Sequence, residues 1–290
     1  MTNKITVYAP AKINLTLEVT GKRSDGYHTI SSLMQSISLY DIVSIELNSE
    51  NEISVKCNAS DIPSGKENIA YRAAEAFLGY SGIKGYGADI SIDKKIPSQA
   101  GLGGGSADAA AVLCGLNALF ETGYSAEELC KIGVTVGADV PFCIAGGTKL
   151  CEGIGEIISE VPNFQDCHIV IGKGPDGIST KEAYEKIDSL GFSDGISMQS
   201  YDGTISSVTN IGRNIFEEVS DSESVSEIKR ICLSSGSEYS AMSGSGSAVF
   251  GIFSDIDKAQ KAGDMIAERR YFSAICQPIN HGTSFISNQH

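Results

Sequence analysis

Between Pro97 and Phe120 the chain reads PSQAGLGGGSADAAAVLCGLNALF, a glycine-rich turn that runs without a break into a helix of small residues. Without Cβ atoms such a turn can take positive φ and lie against whatever it faces. Ser106 and Asp108 fall where the helix is expected to begin, and both residue types favour that position. A helix start offers unpaired N–H groups and a partial positive charge, a setting that suits phosphate. The stretch therefore predicts a phosphate cradle, although a tight connection with close helix packing would use the same residues. It is not GxxxxGK followed by Ser or Thr, because no Lys follows the glycines. Nor is it GxGxxG, because Ser106 stands at the last position.

A chain of 290 residues has room for one large domain or two ordinary ones, and a 41% hydrophobic share supplies a real core. The formal net charge of -14 argues against a nucleic-acid partner gripped by a basic face. It does not exclude a phosphorylated ligand, which a few backbone donors and one or two Lys can hold locally. None of the eight Cys has CxxC spacing and most lie in apolar runs, so they read as buried thiols rather than a zinc site. No apolar stretch approaches a membrane span and the first residues lack a signal-like run. A cytoplasmic protein without membrane contact is expected.

Strand-like alternation covers Lys4 to Val19, with an interruption at Pro10, and Leu33 to Leu47, with a turn at Asp41. Asn68 to Leu78 has helical spacing, and Ser125 with Glu128 forms a capping box before SAEELCKIG. Val136 to Gly147 suggests a loop and a short apolar segment, and Pro162 to Asp166 a linker. Gly191 to Asn210, rich in Ser, Gly and Asp, is expected to be the least ordered part. Segregated strands and helices in two units predict an α+β protein.

Four further islands carry unusual residues. PAKINL places Lys12 inside an apolar strand, on the solvent side of an edge strand or buried with a partner. DGYHT presents Tyr27 and His28 on a turn, either to grip a planar base or as an ordinary packed hairpin. GADVP holds Asp139 in apolar company, as a helix N-cap or as a base beside a reacting hydroxyl. SGSGS, from Ser243 to Ser247, is a second flexible loop. A cradle, an isolated Lys, an isolated Asp and a second glycine loop are the parts phosphoryl transfer needs, since it depends on positioning and charge stabilisation.

In this order and at these separations, PAKINL, DGYHTI, IPSQAGLGGGSADAAA, GADVPF and SGSGS resemble the GHMP kinase superfamily. The resemblance implies a two-domain α+β GHMP kinase fold with the active site in the inter-domain cleft. Residues 1–162 would form the ATP-binding, catalytic domain and 163–290 the C-terminal α+β domain. It implies phosphoryl transfer from ATP, accompanied by Mg²⁺, to the hydroxyl of a small molecule bearing a cytidine diphosphate group, DGYHT being the segment specific to such members. Lys12 and Asp139 match the catalytic pair, Asp139 taking or polarising the hydroxyl proton and Lys12 holding Asp139 ionised and neutralising developing phosphate charge. Pro97, Ser98, Gln99, Ala100, Gly101, Leu102, Gly103, Gly104, Gly105, Ser106 and Ala107 match the ATP-phosphate loop, and Asn68 falls near the adenosine. Asn14, Tyr27, His28 and Tyr184 match acceptor-substrate positions, with His28 reading the cytosine edge, Tyr27 stacking and Tyr184 covering the other face. No separate protein metal site is implied, and the chain is expected as a monomer or homodimer. Gln99 departs from the small residue of many relatives, Ala107 replaces a second Ser, and 191–210 matches no motif of the superfamily.

Overall fold

Two very long strands open the chain, β1 (Lys4–Lys22) and β2 (His28–Asn48), joined by a tight turn over residues 23–27 and paired antiparallel over most of their length. The structure, a computed structural model, describes residues 3–286. Neither expected interruption breaks a strand. β1 absorbs Pro10 beside a bulge, where a missing N–H costs least. Asp41 stays inside β2, fully buried, because its carboxylate accepts the backbone N–H groups of Lys95 and Ile96.

The first sheet continues with β3 (Ile53–Cys57), β4 (Gly87–Asp93), β5 (Thr148–Gly153) and β6 (Ile157–Glu160). The second half of β2 pairs with β4 and its first half with β5. Four helices accompany this sheet: α1 (Ile69–Ser81), α2 (Gly104–Leu119), α3 (Ala126–Val134) and α4 (Val140–Ala145). Ser125 and Glu128 cap α3 reciprocally, as their spacing predicts. In 136–147, read as a loop followed by a short apolar segment, that apolar segment is α4, whose first turn Pro141 pre-sets.

The second half forms a separate four-stranded antiparallel sheet from β7 (His168–Lys173), β8 (Tyr239–Met242), β9 (Val249–Phe253) and β10 (Phe272–Cys276), in the order β10-β7-β9-β8. Its helices are α5 (Thr180–Ile187), α6 (Ile205–Ile211), α7 (Glu223–Ser234) and α8 (Ile256–Glu268), of which α7 and α8 pack on the sheet. The molecule is therefore α+β. The Ser-rich stretch 191–210 is built into it rather than loose. Tyr201 and Val208 are buried, Thr204 caps α6, and Ser193 N donates to Val19 O at 3.0 Å. Its hydroxyls are spent on turns and caps, which composition alone does not reveal.

Bulges in β1 decide what faces the first half's helices. Val7 and Ala9 belong to the core that holds α1 and α2, whereas Ala11, Ile13 and Leu15 belong to the core shared with the second sheet. Leu17 and Val19 return to the first core. A regular strand would keep all these alternate residues on one face. The two reversals coincide with register shifts between Pro10 and Lys12 and between Asn14 and Thr16. The bulges thus turn Lys12 and Asn14 toward the helix side.

After β10 the chain returns to the first sheet, where β11 (Ser284–Phe285) pairs with β1. On the way Gly282 presses on α4, so that a Cβ there would lie 2.4 Å from the carbonyl oxygens of Cys143 and Ile144. Gly282→Ala should therefore destabilise the fold by about 1–3 kcal/mol, read as a lower Tm in thermal melting, and an unchanged Tm would contradict this packing.

Candidate active site

Lys12 and Asn14, turned inward by the bulges, are 4% and 1% exposed. Lys12 Nζ donates to Asn14 Oδ1 at 2.7 Å and lies 3.4 Å from Asp139 Oδ2. Asn14 in turn donates from Nδ2 to Ser32 Oγ, 2.7 Å away, which donates to Thr16 O. Lys12 is therefore a buried cation with two oxygen partners, and the solvent-side alternative falls away. Asp139 occupies the N-cap position of α4 but makes no capping hydrogen bond. Its carboxylate is left for Lys12 and for the cavity it lines.

The glycine loop is pinned from two sides. Lys12 N donates to Leu102 O at 2.9 Å, Ser243 Oγ to Gly101 O at 2.8 Å, and Ala248 N to Ala100 O at 3.0 Å. SGSGS, between β8 and β9, is thus brought against the loop by the second sheet. Two of the glycines answer to the protein itself. Gly101 has φ +72°, and a Cβ there would stand 2.0 Å from Ser243 O; Gly103 has φ +68°, and a Cβ would stand 2.8 Å from Lys12 Cγ. The helix starts at Gly104 with no side-chain cap. Ser106 lies within its first turn, while Asp108 sits a turn further in, buried and paired with Lys94, so the expectation that it marks the helix start is corrected. Ala100, Leu102 and Ala107 turn their side chains into the core, and Ser98 hydrogen-bonds Asp61.

Two cavities meet at this loop. One, of about 590 Å³, is lined by Lys12, Asn14 and Asp139 from the first half and by Tyr184, Phe216 and 244–246 from the second. The other, of about 420 Å³, is lined by Asp61, Ile62, Lys94 and the loop from Pro97 to Ser106. Gln99, Gly101, Gly103 and Ser106 border both. A donor on one side of the loop can thus meet an acceptor on the other beside a carboxylate and an ammonium, the arrangement an in-line group transfer needs.

The remaining expected residues are placed differently from the sequence picture. Asn68 spends its amide on the protein, Oδ1 accepting from Ala70 N and Nδ2 donating to Pro63 O, so it holds the start of α1. Tyr27 is 60% exposed and borders neither cavity. His28 also stands behind the wall of the larger cavity. Tyr184, which lines that cavity, stacks directly on it with ring centroids 4.4 Å apart and planes 15° apart. Tyr184 thus covers His28 itself, because the end of α5 is clasped to the hairpin by Asp188, which accepts from Lys22 Nζ and lies 2.7 Å from His28 Nε2. Those two bonds, Lys22 first, hold the Asp188 carboxyl below its usual range. Ser243, Asp188 and Lys94 join the site without being marked as site residues by the sequence motifs. The SGSGS composition pointed to Ser243's loop, but no local signal marked the other two.

All eight cysteines are free thiols, and among the described residues no group of three or more His, Cys, Asp or Glu is gathered to hold a metal. Among these residues no helix is long and apolar enough to cross a membrane.

Residues 68–147 match the model of the GHMP kinase N-terminal domain and 216–271 that of the GHMP kinase C-terminal domain. The chain belongs to the GHMP kinase family, whose members in this group are small-molecule kinases. It is 42% identical over 260 residues to a 4-diphosphocytidyl-2-C-methyl-D-erythritol kinase of Clostridium novyi (strain NT), covering 87% of this chain and 92% of the relative. It is 44% identical to the kinase of the same name from Clostridium beijerinckii, covering 91% and 96%. Among solved structures, a 4-(cytidine 5'-diphospho)-2C-methyl-D-erythritol kinase superposes with a TM-score of 0.74 at 29% identity, covering 94% of this chain and 99% of that one. A homoserine kinase from Cytophaga hutchinsonii shares the fold, with a TM-score of 0.73 at 18% identity and coverage of 99% and 98%.

Gly103→Ala tests the packing of loop on lysine. The added methyl should displace Lys12 and lower the phosphoryl-transfer rate on the order of 10²-fold while circular dichroism stays native-like. A near-normal rate would show that the close approach of Gly103 to Lys12 does not matter to the reaction.

Proposed function

We propose that the protein transfers the γ-phosphoryl of ATP to the 2-hydroxyl of 4-diphosphocytidyl-2-C-methyl-D-erythritol, giving the 2-phosphate and ADP, a step of the non-mevalonate route to isoprenoid precursors. The observation that carries this reading is the Lys12–Asp139 pair at the junction of two cavities that share one glycine loop. Similarity to kinases bearing that substrate's name over about nine-tenths of the chain supports the choice of acceptor.

In this reading the triphosphate lies along Gly101 to Ser106, where the α2 N-terminus supplies N–H groups and positive potential. Mg²⁺ brought with the nucleotide would neutralise phosphate charge, and Ser106, whose hydroxyl is in the first turn of α2, would be the residue to hold it. The acceptor lies in the larger cavity with its 2-hydroxyl beside Asp139. As the new O–P bond forms and the bond from Pγ to the β-phosphate oxygen breaks, the hydroxyl proton passes to Asp139 Oδ. Lys12, fixed by Asn14, stabilises the charge that builds on the transferring group without having to reorganise. The cytidine group lies toward α5 and the DGYHT hairpin. For a base to reach His28 there, the Tyr184 ring has to turn away from its stack on the imidazole and onto the base.

ADP formation measured with the cytidine-diphosphate acceptor, mevalonate, homoserine and galactose tests the substrate class. Turnover with the first alone is expected, and turnover with only one of the others would overturn the acceptor assignment. Asp139→Asn should lower kcat on the order of 10²-fold or more, and a kcat near wild type would remove Asp139 from proton transfer. Tyr184→Ala should raise KM for the acceptor while sparing KM for ATP, by about 1–3 kcal/mol of lost stacking. An effect on ATP alone would place the base elsewhere.

A further inference from the structure

Three charged side chains are buried together behind the glycine loop. Lys94, in the segment leading from β4 to the loop, sets its ammonium between the carboxylates of Asp41 on β2 and Asp108 on α2, 2.8 Å from Asp108 Oδ2. Asp41 is well provided for, since it also takes the N–H groups of Lys95 and Ile96 at 2.6 and 2.9 Å. Asp108 is not: its Oδ1 is buried without a hydrogen-bond partner, and its side chain is only 4% exposed. Two ionised carboxylates around one ammonium leave an excess negative charge almost removed from water, and Asp108 is the group least able to carry it.

This cluster touches the phosphate side of the loop. A Cβ at Gly104, the first residue of α2, would come within 3.1 Å of Lys94 Nζ, and Lys94 lines the smaller cavity together with 97–106. Any net charge on the cluster is therefore felt at the helix start.

We infer that Asp108 is a positioning residue that takes up a proton when nucleotide phosphate binds at the glycine loop, so that the Asp41–Lys94–Asp108 cluster stays neutral beneath the α2 N-terminus. The inference rests on the proposed binding of nucleotide at this loop and adds to it the state of a residue that touches neither substrate. The proton comes from solvent and forms an O–H bond at Asp108 Oδ1; nothing is oxidised or reduced. Burial, with Asp41 beside it, pushes the Asp108 carboxyl up to about 8 despite the attraction of Lys94. Burial works against the Lys94 ammonium, but its two carboxylates more than offset this and leave its pKa raised. Three neighbouring groups are shifted out of this range. The Cys57 thiol on β3 and the Cys143 thiol on α4 are both pushed up by burial, and Asp61 across the smaller cavity is held down by its bond from Ser98.

The sign follows by linkage. Below its titration Asp108 is neutral, the cluster has no net charge and phosphate is not repelled. Above it the cluster carries a negative charge and nucleotide affinity falls, so binding draws a proton in.

Calorimetry of a non-hydrolysable ATP analogue with Mg²⁺, run in two buffers of different ionisation enthalpy, reads that proton directly. The wild-type protein should take up part of a proton per nucleotide, most strongly around the raised pKa of Asp108. Its affinity should fall roughly 5-fold or more between about pH 7 and 9. In Asp108→Asn, which has the shape of the neutral acid, the uptake should vanish and the affinity should no longer change with pH over that range. Wild-type binding without proton uptake would overturn the inference, as would the same uptake in Asp108→Asn. Should that variant fail to fold, the wild-type arm alone decides. A wild-type protein that binds no nucleotide would instead overturn the nucleotide reading, and this inference with it.

Discussion

The site depends on one ion pair, the buried Lys12 with the cavity-facing Asp139, and much of the architecture serves to make it tolerable. An ammonium almost removed from water is costly unless oxygen atoms surround it. Asn14 and Asp139 supply them, and Ser32 and Thr16 fix Asn14 in turn. The strand that carries Lys12 reaches this position only because its bulges reverse which residues face α2. The helix that carries Asp139 is braced by the returning chain at Gly282. Pair, bulges and brace form one device spread over distant parts of the sequence.

The second half of the chain supplies what the first lacks. Its SGSGS turn, through Ser243, and the Ala248 that follows it fix the glycine loop, and its α5 walls the larger cavity with Tyr184. The loop is thus held by β1 on one side and the β8–β9 turn on the other, which leaves it little freedom to adjust when a ligand arrives. A cradle held in this way has already met much of the ordering cost of binding. The clasp of Asp188 on Lys22 and His28 joins the same two halves at the far end of the cavity.

What could be read in the sequence was local or chemically unusual. The α3 capping box, the helix from Asn68 and the glycine stretch announce themselves within a few residues. Lys12 and Asp139 stand out because charged residues in apolar runs need a reason. Signals that depend on distant partners were hidden. Asp41 resembles a turn residue until the N–H groups of Lys95 and Ile96 are seen beside it, and Asp108 resembles a helix cap until Lys94 is found under α2. Asn68 resembled a ligand contact, yet its amide is spent on Ala70 and Pro63. The stack of Tyr184 on His28 is set by where α5 docks, which no spacing in either segment encodes.

If Lys12 and Asp139 act as one unit, their contributions to phosphoryl transfer cannot be independent. The most direct measurement is a double-mutant cycle on the single-turnover rate with Lys12→Met, Asp139→Asn and the combined variant. Groups that act as a unit should cost about as much removed together as singly, leaving a coupling of roughly 2 kcal/mol or more. Losses that simply add, with no coupling, would contradict the placement of a single catalytic pair at the junction of the two cavities.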